Sequence, residues 1–331
     1  MYVSINSINQ QPPLIVSNLP PKLFFIVNPQ ASGFDTGLET LLKENFDGSD
    51  YELAFTEKLG DGTRLVAECV EHFSAKQRSM IIIACGGDGL VCEVLAAAAE
   101  LSIADLGVGV LVVPIGTANI FAEEVGATGN MGAVIARLKE LVKGDSLAAG
   151  RLVDLAKVNG KFFALRLNIG LFAQTTTGNN AGLKKRWGRF SYIFAFLENL
   201  FRGNNFKVRL QFIDERGRHR RKRFSCRSLT VTNTGATGIA GLPLSQQIRI
   251  DDELLDVIIF RRLWLTDIFS WLLKIILRQK RPATASKHYQ CRSISIALRH
   301  KTKVEVIVDD NLVSGTMFAI EVVPRAVKIL N

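Results

Sequence analysis

The sequence predicts an α/β N-terminal domain built on a parallel sheet, followed by a β-rich, sandwich-like C-terminal domain. Three observations predict it. In the first, a short apolar run (MIIIAC, from Met80) meets Gly86, Gly87, Asp88 and Gly89, and then a Gly- and Pro-free run over 90–101 (LVCEVLAAAAEL). A continuous, β-branched run reads as a strand buried on both faces, and an Ala- and Leu-rich run as a helix. The second is another strand and turn, Val110 to Asn119 (VLVVPIGTAN), which follows at about the length of one βαβ unit. The third is a change of texture after residue 150, where 151–158, 161–169, 206–213 and 222–233 alternate or are β-rich between Gly, Asn and charged turns. That pattern predicts an antiparallel sheet or sandwich.

The elements follow in order. Residues 1–21 are polar and then Pro-rich, without the basic start and apolar run of a signal peptide, and read as a loose tail. Residues 23–28 (LFFIVN) predict the first strand, with Pro29 to Gly33 as its turn, and 37–46 a helix. Tyr51 to Phe55 predicts a second strand ending at Thr56, and Asp61 is a candidate N-cap for a helix over 62–74. The two glycine turns come next, and 131–143 (MGAVIARLKELVK) has helical apolar spacing, closed by Gly144-Asp145. The domain boundary is placed there, giving 22–146 and 147–319.

In the second domain, Lys184 to Phe190 (KKRWGRF) and the helix-like run after it suit either a solvated face or lipid headgroups. A second basic run, Arg216 to Arg223, has Gly217 as a hairpin tip. Residues 263–279 (LWLTDIFSWLLKIILRQ) form the most apolar helix, a core helix or one lying in a membrane interface. Residues 303–308 predict a strand followed by Asp309-Asp310-Asn311, and 317–323 another, with Pro324 before a final strand ending at Leu330.

The composition narrows the classes. A chain of 331 residues suits two domains, and 47% apolar residues can fill their cores. A formal charge of +10 suits an anionic partner such as a membrane surface, a nucleotide or nucleic acid. No nucleic-acid motif or stacking pattern accompanies the basic runs, so no nucleic-acid partner is expected. The five cysteines (Cys69, Cys85, Cys92, Cys226, Cys291) form no CxxC pair, which argues against a disulfide framework or zinc site and for a reducing compartment. No run reaches the roughly 18 apolar residues of a spanning helix. The expected location is cytoplasmic and peripheral to a membrane; a homo-dimer stays open.

Main-chain amides at a glycine-rich strand–loop–helix junction suit a phosphate, and Asp88 is the one acid among those glycines. Each such turn, taken alone, is also an ordinary βα connection. Seven pieces in one order go further: Asn28-Pro29-Gln30-Ala31-Ser32-Gly33, Thr56 ahead of Gly60-Asp61-Gly62, Gly86-Gly87-Asp88-Gly89 with Glu93, Gly116-Thr117-Ala118-Asn119, Asp154 to Gly160, Asn168 to Ala173, and Asp252 to Asp256. With them the chain, from about residue 22, resembles the lipid kinases that carry the diacylglycerol kinase catalytic domain. That family also holds sphingosine and ceramide kinases and is distantly related to NAD kinases.

The resemblance implies an ATP- and Mg²⁺-dependent phosphotransferase acting on a lipid hydroxyl, such as that of diacylglycerol, at an anionic membrane surface. It places nucleotide at Asn28, Pro29, Ser32, Gly33, Thr56, Gly86, Gly87, Asp88, Gly89, Glu93, Gly116, Thr117 and Asn119. It places the metal at Asp252 with main-chain oxygens of Arg249 and Leu254, and the C-terminal tail 320–331 back on the first domain. The chain departs from the family pattern in four places. Leu90 stands where a threonine is usual, Ile120 where an acid is usual, and Glu253 where a glycine is usual. Asp309-Asp310-Asn311 replaces Asp-Gly-Glu, and an asparagine accepts no proton. Asp88 is therefore the favoured catalytic acid, with Asp310 and Asn311 as further candidates. An NAD kinase-like enzyme and a non-catalytic lipid- or nucleotide-binding homologue remain as alternatives.

Overall fold

The computed structural model describes residues 20–48, 50–74, 79–143, 150–170, 205–235, 248–260, 286–299 and 304–331. The N-terminal tail up to residue 19, the basic stretch 184–190 with the run after it, and the apolar segment 263–279 lie outside the described residues.

The N-terminal part alternates strand and helix: β1 (Lys22–Val27), α1 (Leu38–Asn45), β2 (Tyr51–Phe55), α2 (Asp61–Ser74), β3 (Met80–Gly86), α3 (Asp88–Glu100), β4 (Gly109–Pro114), α4 (Ile120–Glu124) and α5 (Met131–Lys143). Its strands are parallel in the order β2-β1-β3-β4. The strands read as unbroken apolar runs because both faces are covered. Phe24, Ile26, Ile82 and Val112 pack with Val66 of α2 and Leu95 of α3, whereas Phe25, Val27, Ile83 and Leu111 pack with Leu42 of α1 and Leu138 of α5. The chain leaves β1 for β2 on one side and returns to β3 on the other. The loops after β1 and β3 therefore diverge, and open α/β sheets bind ligands in the crevice at such a switch point.

The C-terminal part is made of strands: β5 (Arg151–Val158), β6 (Lys161–Phe163), β7 (Arg166–Gly170), β8 (Phe206–Asp214), β9 (His219–Cys226), β10 (Ser228–Thr232), β11 (Leu255–Phe260), β12 (Ser286–Leu298), β13 (Val306–Val308), β14 (Asn311–Val313) and β15 (Met317–Ile329). The first half of β12 pairs with β11, and its second half pairs with β8 and β15. The apolar faces on either side of this switch share one core, including Ile169, Leu229, Val257, Leu210, Ile296 and Phe318. β15 runs antiparallel to β5 and ends parallel to β4, where Ile329 pairs with Val110.

Three expectations change in detail. The stretch 161–169 is two strands, broken at Ala164-Leu165. The stretch 222–233 is two strands, broken at Arg227. The two final strands are one, β15, with an irregularity between Val323 and Val327 that absorbs Pro324. Asp61 begins α2 but does not cap it; its carboxylate instead accepts the preceding amides of Glu57 and Lys58, at 2.8 and 3.0 Å.

Candidate functional site at the ends of the parallel strands

The loops after β1, β3 and β4 meet at one end of the sheet. Asn28 donates its amide to Cys85 O at 2.9 Å, and its side-chain Oδ1 accepts the Gln30 amide, shaping the first turn. Gly33 donates to Ile115 O at 2.9 Å, joining the first loop to the third. Ser32 and Thr117 place their hydroxyls 3.5 Å apart across the same junction. Thr56, just past the end of β2, donates its amide to Val27 O at the end of β1, at 2.9 Å.

The second and third loops touch backbone to backbone. A Cβ on Gly116 would lie 2.3 Å from Gly87 Cα, so only glycine permits the approach. The third loop is closed by Asn119, in the left-handed region at φ 50°, whose side chain accepts from Gly116 N (3.0 Å) and donates to Gly116 O (2.7 Å).

Asp88 sits at this contact. Its Oδ1 accepts the Ile120 amide at 2.6 Å and the Phe121 amide at 3.3 Å, the first two amides of α4. Oδ2 has no hydrogen-bond partner among the described residues. Burial pushes the Asp88 carboxyl up, the two amides oppose this, Asp310 adds to the rise and Arg166 counters it. Asp310 and Arg166, from the strand-rich part, thus share the electrostatic surroundings of Asp88.

Asp309 and Asp310 are neighbours with opposite environments. Both have positive φ, 42° and 67°, and form the two-residue connection of β13 to β14, a turn that Asp and Asn tolerate. Asp309 accepts the amides of Ala164, Leu165 and Arg166, which explains the break in the expected strand 161–169. It is spent on backbone. Asp310 is exposed. Asn311 donates to Asp309 O at 3.2 Å.

Glu93 binds protein rather than open space: its carboxylate accepts the amides of Gly60 and Gly62 at 2.8 and 2.9 Å, holding the start of α2. Gly89 is exposed, with nothing near its would-be Cβ.

A second acidic region surrounds Asp252. Its Oδ1 accepts the Leu254 amide at 3.1 Å. Burial, with Asp256 and Asp154 nearby, pushes its carboxyl up to about 6 against the pull of that amide and of Arg249. Glu253, where the family pattern has glycine, adopts φ 59°. Buried Asp154 makes this conformation tenable by accepting the Glu253 amide at 2.6 Å, and it holds a second left-handed residue, Arg325, at 2.8 Å. Asp256 is fully buried, bonded to His288 Nε2 through Oδ1, with Oδ2 unpaired among the described residues. Among the described residues no three His, Cys, Asp or Glu side chains converge as a metal cage. The Asp252 carboxylate is nevertheless a hard oxygen donor of the kind Mg²⁺ takes, and a cation there would offset the mutual repulsion of Asp252, Asp154 and Asp256.

Sequence reasoning missed two residues, Arg166 near Asp88 and the supporting role of Asp154. Asp154 opened a recognised motif, but nothing near it in sequence signals the distant amides it holds.

The family model described as the diacylglycerol kinase catalytic domain matches residues 22–149. A protein of Stenotrophomonas maltophilia named "Probable lipid kinase YegS-like" is 27% identical over 320 residues, 93% of this chain and 96% of that one. One of the same name from Pectobacterium atrosepticum is 33% identical over 55% of this chain and 56% of that one. Among solved structures, a diacylglycerol kinase of Bacillus anthracis superposes with a TM-score of 0.67 at 23% identity, over 94% of this chain and 97% of that one. That likeness extends the fold across both parts of the chain. With the glycine loops and Asp88 gathered at the switch point, residues 22–149 match the diacylglycerol kinase catalytic-domain family.

Proposed function

We propose that this chain is an ATP- and Mg²⁺-dependent lipid kinase that phosphorylates a lipid hydroxyl, such as that of diacylglycerol, at an anionic membrane surface. The observation that carries the reading is Asp88: one oxygen anchored by α4, the other without a partner among the described residues, and a carboxyl pushed up by burial. A carboxylate so held is suited to receive the proton of an attacking hydroxyl. ATP, when bound, supplies the γ-phosphoryl group. The chain's residues do the positioning that phosphoryl transfer needs. The bare main chain at Gly87 and Gly116 and the hydroxyls of Ser32, Thr56 and Thr117 would hold the phosphates, and Arg166 and Asp310 would set the charge around Asp88. Asp252 with the main chain of Arg249 and Leu254 would hold Mg²⁺. On this reading the chain divides into a nucleotide domain, 22–146 with 320–331, and a lipid domain, 147–319. No helix among the described residues is long and apolar enough to cross a membrane.

A second reading, a non-catalytic lipid- or nucleotide-binding homologue, is favoured by one observation: Asp309 is consumed by three amides and Asn311 is no base. Transfer of radiolabelled γ-phosphate from ATP to a panel of lipids in mixed micelles, wild type beside Asp88→Asn, decides. A phospholipid product that vanishes in the variant supports the kinase and names its acceptor. ATP binding without product on any lipid overturns the kinase reading for the second.

A further inference from the structure

The hairpin of β8 and β9 divides its cations between two faces. Directly opposed residues of an antiparallel pair share a face. On the inner face Leu210 is opposite Lys222, and Phe212 opposite Arg220. There Arg218 and Arg220 both bind Asp214, at 3.0 Å. On the outer face Arg209 is opposite Arg223, and Gln211 opposite Arg221, with Lys207 beside them. Lys207, Arg209, Arg221 and Arg223 are all exposed. None makes a salt bridge or side-chain hydrogen bond among the described residues.

Placing Arg209 directly against Arg223 works against folding. The inward residues Val208, Leu210, Phe212 and Phe224 are all buried, so the period of the strand fixes the cations outward. The ladder carries this face onward across the sheet. Arg209 is opposite Ala297 of β12, which is opposite Met317 of β15; Gln211 is opposite Ser295, which is opposite Ala319. The outer face is therefore an edge of cations, a floor of small side chains, and an apolar side chain, Met317, 67% exposed at the far side. Its acid, Glu321, is opposite Lys157.

We propose that this outer face of β9, β8, β12 and β15 is the surface by which the protein docks on an anionic phospholipid bilayer. The choice of a bilayer over other polyanions rests on the lipid-kinase reading and on two features of the face. Four unpaired cations spread over two strands, with a low floor, match a broad anionic surface rather than one small anion. The projecting side chain at its far side is Met317, and no Phe, Tyr or Trp is exposed among the described residues of these strands to stack on bases, His219 being the one exposed ring.

The test is co-sedimentation, without ATP, with vesicles of phosphatidylcholine alone or mixed with phosphatidylglycerol. The variant replaces Lys207, Arg209, Arg221 and Arg223 by Gln. A control replaces the exposed Lys43, Lys58, Lys139 and Lys143 of the N-terminal part by Gln, with the same change in net charge. Binding of wild type to the mixed vesicles only, a several-hundred-fold loss in the face variant at roughly five-fold per cation, and near wild-type binding by the control support the proposal. Arg209→Gln with Arg223→Gln removes only the opposed pair; it keeps or raises Tm and loses roughly twenty-five-fold, so a folding defect in the larger variant leaves the test intact. Equal losses in face and control variants, no binding by wild type, or wild-type preference for a single-stranded RNA over the vesicles overturns it. Because no phosphoryl transfer is measured, a failed docking test leaves the kinase assay standing, and the reverse.

Discussion

Asp88 Oδ1 accepts the main-chain amide of Ile120 at 2.6 Å. One side chain thereby joins the loop after β3 to the first turn of α4. Asp88→Asn keeps an oxygen for that amide but gives up the acceptor charge. Its phosphoryl transfer should fall by about 10²–10⁴-fold, the range for a lost general base, with ATP binding and Tm little changed. Asp88→Ala should lose the anchor as well and cost about 1 kcal/mol of stability. Kinetics beside thermal melts separate the two.

Gly87 and Gly116 make a sharper packing contrast. Gly116→Ala places a Cβ 2.3 Å from Gly87 Cα, and overpacking of backbone against backbone costs about 1–3 kcal/mol. Gly89→Ala meets nothing within 4 Å and should melt within a degree or two of wild type. Denaturant unfolding of the two variants reads the difference.

Asp309→Asn should be more harmful to stability than Asp310→Asn. An amide in place of the Asp309 carboxylate turns one acceptor into a donor facing the main-chain donors of Ala164, Leu165 and Arg166, at about 1–3 kcal/mol for a buried amide left unpaired. Asp310→Asn should leave Tm unchanged and lower activity, since its charge raises the Asp88 carboxyl. Its pH–rate profile should shift to lower pH on the acid side.

Asp214 gives a pH dependence with a definite sign. Burial alone would raise its carboxyl, but the Arg218 amide and the Arg220 and Arg218 guanidinium groups hold it down at about 2. A folded value below the unfolded one means stability that is complete above the unfolded value, near 4, and is lost as pH falls towards 2. Asp214→Asn should lower Tm at neutral pH, with the difference from wild type closing between about pH 4 and pH 2. Thermal melts across that range check it.

Mg²⁺ should raise the Tm of wild type in the absence of nucleotide and leave Asp252→Asn unmoved, because a ligand bound only by the folded state stabilises by mass action. A chelator should reverse the wild-type rise. Equal Mg²⁺ responses in both proteins would place the ion elsewhere.

The contrast between Asp309 and Asp310 shows where sequence reasoning stops. Together they read as acids standing in for a family motif. The fold turns them through a two-residue hairpin, so that one faces three buried amides and the other solvent. Glu93 was legible as the acid that accompanies the second glycine turn, but the helix end it holds is that of α2, thirty-one residues earlier at Gly62. Asp61 looked like a cap because of its position, yet its carboxylate turned back to the preceding loop.

Whereas Asp88 as the favoured acid is what the family resemblance implies, local pattern by itself determined the βα alternation, the three loops at the strand ends and the β-rich second part. These follow from short-range physics: burial on both strand faces, helix propensity, and glycine where main chains must approach. Only the tertiary structure decided which loops meet, which of two adjacent aspartates is spent on backbone, and which arginines of one basic run are paired with Asp214 and which face outward. Those outcomes depend on groups far apart in sequence being brought within hydrogen-bond distance. No spacing or composition encodes that distance until strand register and sheet order are set.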